Sequence, residues 1–368
     1  MNIQESQVNH EFRSSCKINK SDLQSSKMRS VEVVRTVAIF AVIVIHTKPF
    51  EDTYISFGTA INVGYLLNQL ARFAVPFFFV MSGYFWGSKI NSGSPIVDST
   101  RKMSKRIITI FLAWSTIYLL PANLFDVSQY ASLGPLRQFY WNIFDLFKHP
   151  VQALMEGSRF HLWFLVALIN CLAISAAFVA LNMKWALICL SILFYGIGLL
   201  GKAYADTPMG FHSEFNFRNG PFFGLIFFVT GYVLSGSRRR QSWLILGLSS
   251  MAFGTLMHFA EIFMLRALWG TTILQDFVFG TYFMGVGAAL VALSNPKLVK
   301  LNAIANIGPL VLGIYAIHLV FVDLLHPFGQ ALKGAAWWGF CYPVGVFVMS
   351  LAATFALSRI RLTRKFVV

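Results

Sequence analysis

Long apolar runs recur along almost the whole 368-residue chain, separated by short polar connections. Hydrophobic residues make up 56% of the sequence and charged residues 12%, whereas a soluble domain has about 25% charged residues. Apolar runs of about 20 residues can cross a bilayer, where a helix satisfies its own backbone hydrogen bonds. The sequence therefore predicts an all-α polytopic membrane protein.

The apolar pattern divides into about ten transmembrane helices. The second run is long enough to tilt or break, and Pro76 and Gly83 are its expected kink points. The predicted spans are 31–48, 59–87, 107–125, 161–181, 184–201, 218–236, 242–260, 271–294, 302–325 and 335–358.

Lysine and arginine are distributed unevenly between the two sides of these spans. With the N-terminus inside, 20 of the 30 fall in inside segments. This positive-inside pattern places both termini in the cytoplasm. Residues 1–29 are then a disordered cytoplasmic tail, 30–360 the membrane domain and 361–368 a short basic cytoplasmic tail. Orientation and lipid contact explain the net charge of +15, so we expect no nucleic-acid partner.

Arg35 and His46 stand eleven residues apart in the first apolar run. Eleven steps of 100° return a helix to within about 20° of its start, and the rise separates the two side chains by about 16 Å. Ionisable groups at membrane depth usually face the protein interior or a water-filled cavity. We therefore predict a proton-handling or acyl-handling site, with neutral His46 as a general base. Alternatively, Glu32 and Arg35 form an interfacial ion pair and His46 caps the helix end.

Arg72 lies about midway along the second span, where an unpaired guanidinium costs several kcal/mol. We predict that it binds an anionic group of a ligand. A purely structural role would instead require an internal partner such as Asp276 or Asp323.

A basic run, Arg101, Lys102, Lys105 and Arg106, leads into the third span. Guanidinium forks and ammonium groups both suit phosphates, so this run is a candidate phosphate site. The alternative is orientation and contact with anionic lipid.

The remaining candidates lie near the outer ends of the spans. His161 is expected to line the outer mouth of a cavity, and Trp163 stands where an aromatic belt anchors a helix. His318 and Asp323 are five residues apart on different helix faces. The four cysteines are scattered and no metal motif is present, so we predict no metal site.

Four segments together resemble one family of proteins. Arg35 and His46 match the R-x10-H motif of the bacterial membrane acyltransferase-3 family. VPFFFVMSGYF (75–85), HLWFL (161–165) and GIYAIH (313–318) are similar to its later signatures in order and spacing. The family has paired arginines at the entry to its third span, where this chain has Lys105 and Arg106.

This resemblance implies a ten-span bacterial inner-membrane protein that moves an acyl group, with acetyl expected, from cytoplasmic acyl-CoA. The acceptor would be a hydroxyl of a surface polysaccharide, such as O-antigen, or of its lipid-linked precursor. Acetyl-CoA would be a substrate, with no permanently bound cofactor, and the lipid bilayer the other partner. Oligomeric state is not encoded in the motifs.

The resemblance also assigns roles to the candidates. Arg35 and the basic run would hold the donor phosphates, Arg72 its pantetheine arm or carbonyl, and His46 would be the base. His161, Trp163 and His318 would hold the acceptor. Direct transfer and an acyl-imidazole relay are both compatible with these positions. The rival function is a transporter or flippase for a lipid-linked or anionic solute.

Overall fold

The computed structural model describes residues 20–57, 59–121, 134–237, 242–294, 301–332 and 335–367. Helices dominate, with one hairpin between the first two. The helices are α1 (Lys20–Thr47), α2 (Val63–Leu70), α3 (Ala74–Asn91), α4 (Ile96–Ile117), α5 (Gly134–Lys148), α6 (Pro150–Glu156), α7 (Trp163–Ala180), α8 (Lys184–Leu200), α9 (Pro221–Ser235), α10 (Ser242–Trp269), α11 (Phe279–Ser294), α12 (Asn302–Ala305), α13 (Val311–Ala331) and α14 (Ala336–Arg359). The hairpin pairs β1 (Tyr54–Phe57) antiparallel with β2 (Thr59–Asn62).

Short 3-10 turns join several of these helices. Three of them continue directly into a following helix, so that α3, α7 and α13 each extend further toward their N-terminal side. The turns are Ala71–Phe73, Phe160–Leu162, Gly308–Leu310 and Arg364–Phe366.

Each of the ten predicted spans overlaps a helix within the described residues, as expected for an all-α membrane protein. Within the described ranges, six helical segments are long and apolar enough to cross a bilayer. They are Arg29–Thr47, Val63–Asn91, Phe160–Ala180, Ser242–Trp269, Asn302–Gly329 and Ala336–Arg359. Helices α8, α9 and α11 are apolar but shorter. The count of ten spans and the cytoplasmic termini stay predictions.

The second span is interrupted, but not at either expected kink point. Its first residues form β2, and the helical part breaks at the 3-10 turn Ala71–Phe73, before α3 begins. Pro76 is the third residue of α3, where its missing N–H leaves no hydrogen bond unmade. Gly83 lies within continuous helix. The expectation of a kink at Gly83 was therefore wrong.

Gly83 instead permits a close crossing of α3 and α9. A Cβ atom there would overlap the carbonyl oxygen of Phe228, and one on Gly231 would overlap that of Val80. Small residues allow helix backbones to approach closely in membrane proteins. Next to this crossing, the buried ring of Phe79 on α3 contacts the rings of Trp163, Phe164 and Phe223.

Both predicted tails carry structure where they are described. Residues 1–19 lie outside the described ranges, but α1 already begins at Lys20. At the other end, Trp114 donates a 2.9 Å hydrogen bond to the carbonyl of Phe366. Val367 is fully buried and packs where Gly313 leaves no room for a side chain. The C-terminal residues therefore dock onto α4 and α13.

The crossing predicts a matched pair of glycine substitutions. Gly83→Ala should lower the stability of the fold by about 1–3 kcal/mol, because its methyl group has no space. Gly196→Ala lies in α8, where no described atom comes within 4 Å of the added Cβ. It should be neutral or stabilise by up to about 1 kcal/mol. Apparent thermal midpoints in detergent micelles test both, and equal midpoints would contradict the crossing.

Candidate active site

Arg35 and His46 lie on one uninterrupted helix, α1, as predicted. Their side chains line two different cavities. The Arg35 cavity has a volume of about 170 Å³, and its lining includes Arg106, Ser82, Phe164 and Tyr315. The His46 cavity has a volume of about 370 Å³. It lies between the end of α1, the chain that follows it, and helices α13 and α14.

Two guanidinium groups meet at the Arg35 cavity. Arg35 pairs with Glu32, with its Nη1 3.1 Å from both carboxylate oxygens. The ion pair expected under the alternative interpretation is therefore present, yet the Arg35 side chain stays 27% exposed and lines the cavity. Arg106 approaches from α4 and gives the cavity a second cation.

Helix α4 begins at Ile96, so the basic run lies within it rather than before it. Of the four basic residues, only Arg106 lines the Arg35 cavity. Arg101, Lys102 and Lys105 are exposed on the helix surface. Arg106 alone of the run therefore reaches this cavity, and a phosphate-binding role for the run stays a prediction.

Three histidines from distant parts of the chain come together at the end of α1. The ring of His318 lies 5.1 Å from that of His46 and 5.2 Å from that of His161, measured between centroids. His161 and His318 are 1% and 0% exposed, whereas His46 reaches its cavity. His161 is therefore buried behind His46 rather than at a cavity mouth. Phe160 covers another side of His46, at 5.4 Å between centroids.

Two tyrosines surround the buried histidines. Tyr315 donates a hydrogen bond to the carbonyl of His161, and Tyr118 donates one of 2.7 Å to the carbonyl of Ala316. The sequence analysis missed both. Tyr315 could have been predicted from the sequence, because it precedes His318 by one helical turn in the GIYAIH segment.

A thin layer of side chains separates the two cavities. Within the described part of the chain, their linings have no residue in common. Tyr315 forms a wall of the Arg35 cavity, and its ring lies 6.0 Å from the ring of His318. His318 in turn contacts His46. Within the described residues, Arg35 and His46 therefore share no cavity.

Arg72 has the internal partner that a structural role requires. Its Nη1 lies 3.1 Å from Asp276, and its Nε and Nη2 donate to the side-chain oxygen of Asn68. Lys202 and Arg218 also reach Asp276, at 3.1 and 3.5 Å. Asp276 therefore already pairs with the guanidinium of Arg72. A ligand anion that binds Arg72 directly would have to compete with this carboxylate.

Asp276 lies in the connection between α10 and α11, where burial acts to raise its pKa. Arg218, Arg72 and Lys202 outweigh burial and hold the pKa of that carboxyl well below its ordinary value. The network also reaches the first helix, because Asn68 donates a 3.3 Å hydrogen bond to the carbonyl of Ile45, next to His46. Arg72 is thus placed to support the position of His46.

Trp163 belongs to the same region and does not stand in a lipid-facing belt. It is 7% exposed, and the guanidinium of Arg218 lies 5.0 Å from the centroid of its ring. Arg218 also approaches Glu156 at 3.6 Å. The belt expectation fails because burial beneath a cation cannot be read from position along a helix.

A second ion pair fixes the segment that carries His161. Arg159 pairs with Asp323, which follows His318 by five residues on α13. Of the two candidate partners for Arg72, the structure therefore gives Asp323 to Arg159 and Asp276 to Arg72. The pair holds the start of the 3-10 turn Phe160–Leu162 against α13.

These features define a helical membrane protein with imidazole and guanidinium groups buried between its helices. The chain belongs to the acyltransferase family whose model, described as an acyltransferase domain, matches residues 28–359. The R-x10-H pair, the three later signatures and all three clustered histidines fall inside that range.

Curated relatives carry other names. An amino-acid racemase from Enterococcus faecalis is 27% identical over 250 residues, which cover 62% of this chain and 32% of that protein. A serine/alanine racemase from Enterococcus gallinarum is 26% identical over 233 residues, covering 59% of this chain and 30% of that protein. The chain thus spans about a third of the length of these relatives. No solved structure matches it.

The charge network predicts a large cost for removing its central carboxylate. Asp276→Asn should lower stability at pH 7 by about 3–5 kcal/mol, because it leaves three cations without their shared anion. Asp145→Asn, whose side chain is 73% exposed, is the control and should cost under about 0.5 kcal/mol. Thermal unfolding in detergent micelles measures both.

The same comparison has a predicted pH dependence. The folded-state pKa of Asp276 is depressed, so its contribution is complete above the unfolded value of about 4 and is lost as pH falls below it. The gap between the protein and Asp276→Asn should therefore close under acid. A gap that persists or widens there would contradict the network.

Proposed function

We propose that the chain is a membrane O-acyltransferase that moves an acyl group, with acetyl expected, from cytoplasmic acyl-CoA to a hydroxyl of a surface polysaccharide or its lipid-linked precursor, such as O-antigen. The observation that carries the proposal is one helix with a guanidinium in one cavity and an imidazole in another. The family assignment supports the reaction class. The acyl donor, the acceptor and an inner-membrane location belong to the proposal.

The Arg35 cavity suits the reactive end of the donor. Arg35 and Arg106 supply positive charge for phosphates, and the rest of the wall is mainly apolar, with Ser82 as a polar exception. Its volume of about 170 Å³ is below the roughly 300–1,000 Å³ of pockets that bury a drug-sized ligand. We therefore expect the acyl-pantetheine arm to enter while the nucleotide stays at the basic rim.

His46 would act on the acceptor. Its neutral imidazole takes the proton of the acceptor hydroxyl as that oxygen attacks the carbonyl carbon of the thioester. The new C–O bond forms, the C–S bond breaks, and the thiolate leaves and becomes the thiol on taking up a proton. Charge and atoms balance without a further reactant.

The closed layer at Tyr315 allows two versions of this reaction. In direct transfer, Tyr315 and its neighbours move so that the thioester carbonyl reaches the acceptor oxygen. In a relay, His46 attacks the thioester first and passes the acyl group on as an acyl-imidazole. Mass spectrometry of the His46 peptide after mixing with donor alone separates them, since only the relay leaves an acyl adduct.

A carrier for a lipid-linked or anionic solute is the second candidate. Two cavities without a common lining residue favour it, because alternating access also separates its chambers. A carrier predicts solute movement without covalent change, whereas the enzyme predicts protein-dependent consumption of acyl-CoA. This chain covers only about a third of each Enterococcus racemase. We therefore do not propose racemisation for this chain.

Removal of the imidazole tests the role of His46. His46→Ala should lower acyl transfer by about 100-fold or more while donor binding stays unchanged, because general-base catalysis contributes about 10²–10⁴-fold. The readout is the acyl content of surface glycan by mass spectrometry, with protein level measured in parallel. His212→Ala, an exposed histidine paired with Asp206, is the control. Undiminished acylation by His46→Ala would refute the assignment.

The donor site has its own matched pair. Arg106→Gln should raise the KM for acyl-CoA about 10- to 100-fold, the effect of losing one charge-assisted hydrogen bond or two. Lys102→Gln, one turn away and outside the cavity lining, should change it little. With acyl-pantetheine, which lacks the nucleotide phosphates, the Arg106 penalty should disappear. An equal penalty on both donors would rule out phosphate recognition.

A further inference from the structure

The two buried histidines beside His46 each have one nitrogen bound and one nitrogen without a partner. His318 Nδ1 lies 2.6 Å from the carbonyl oxygen of Tyr315, and His161 Nε2 lies 3.4 Å from that of Ala316. No described side chain or backbone group bonds His318 Nε2 or His161 Nδ1, although both atoms are buried.

These contacts fix the tautomers of the neutral rings. A carbonyl oxygen only accepts hydrogen bonds, so the imidazole nitrogen that faces it carries the hydrogen. His318 is therefore protonated on Nδ1, and its Nε2 carries a lone pair. By the same reasoning, the lone pair of His161 is on Nδ1. A buried acceptor that receives no hydrogen bond costs about 1–3 kcal/mol, so we expect a donor close to each of these atoms.

His46 is the neighbouring group that can supply that donor. Two imidazoles joined by an N–H···N bond of about 2.9 Å have ring centroids about 5 Å apart, and the His46 and His318 centroids are 5.1 Å apart. In this structure the rings are inclined at 39° and His318 Nε2 is bonded by no described group, so the proposed bond requires the His46 ring to turn. Catalytic hydrogen bonds often tighten only when substrate is bound.

We propose that His318 is the positioning residue for His46. The Tyr315 carbonyl holds the Nδ1–H of His318, and Nε2 of His318 accepts the N–H of His46. The other nitrogen of His46 then keeps its lone pair for the acceptor hydroxyl in the His46 cavity. When His46 takes up that proton, His318 and the carbonyl behind it stabilise the imidazolium, as an orienting group does in a catalytic triad. This inference rests on the proposed acyltransferase function.

Two amide substitutions at position 318 separate positioning from structure. The amide of Asn overlaps the Nδ1 side of imidazole, so His318→Asn keeps the hydrogen bond to Tyr315 and loses the acceptor. The longer His318→Gln places its amide oxygen near Nε2 and can accept from His46. Positioning therefore predicts that Gln retains more activity than Asn, whereas a structural role predicts the reverse order.

The experiment measures kcat and acceptor KM for acyl transfer by the full-length protein in membranes. His318→Asn should lose about 10- to 100-fold in kcat, a typical effect of removing an orienting partner, while His318→Gln stays within about tenfold of the unaltered protein. Asn equal to or better than Gln overturns the proposal. If the unaltered protein itself transfers no acyl group, the proposed function fails instead, which is a different result.

A second measurement covers the case in which neither variant folds. Nitrogen-15 NMR of histidine-labelled protein reports the tautomer of His318 directly, without an activity assay. We expect a protonated Nδ1 and an Nε2 signal that shifts when His46 is replaced by Ala. An Nε2 signal unaffected by His46→Ala overturns the proposal, as does a His318 protonated on Nε2.

Discussion

The rigid spacing along α1 sets the relation between the two halves of the site. A continuous helix fixes Arg35 and His46 about 16 Å apart and on one face, whatever the surrounding helices do. The two side chains enter different cavities, which under the proposed function would separate donor and acceptor chemistry within one domain. The ion pair between Arg35 and Glu32 lies within this helix, whereas the hydrogen bond from Asn68 to the Ile45 carbonyl joins its end to α2.

Between the cavities, the protein places groups that are costly to bury. Tyr315 closes the Arg35 cavity. Behind it, His318 and His161 each have one ring nitrogen to which no described group donates a hydrogen bond. A structural core would replace such groups with apolar side chains, which pack at no polar cost. Under the proposed function a thioester would have to cross this layer, so we expect the layer to rearrange when substrates bind. The flanking Arg159–Asp323 pair holds two of the contributing segments together.

Features that depend on local spacing could be predicted from the sequence. The helix of α1, the shared face of Arg35 and His46, and the family followed from periodicity and motifs, and Asp276 was a named candidate partner for Arg72. Convergence of His46, His161 and His318 could not be predicted, because more than 100 residues separate each from the next along the chain. The burial of Trp163 under Arg218 and the docking of the C-terminus likewise depend on tertiary packing.

Under the proposed function, α1 presents Arg35 and His46 to opposite sides of the membrane. Single cysteines at positions 35 and 46, in a background lacking the native cysteines, test it through labelling by a membrane-impermeant thiol reagent. We expect the thiol of His46→Cys to react from outside intact cells, and the thiol of Arg35→Cys to react only in inverted membrane vesicles. Labelling of both from the same side would contradict the account.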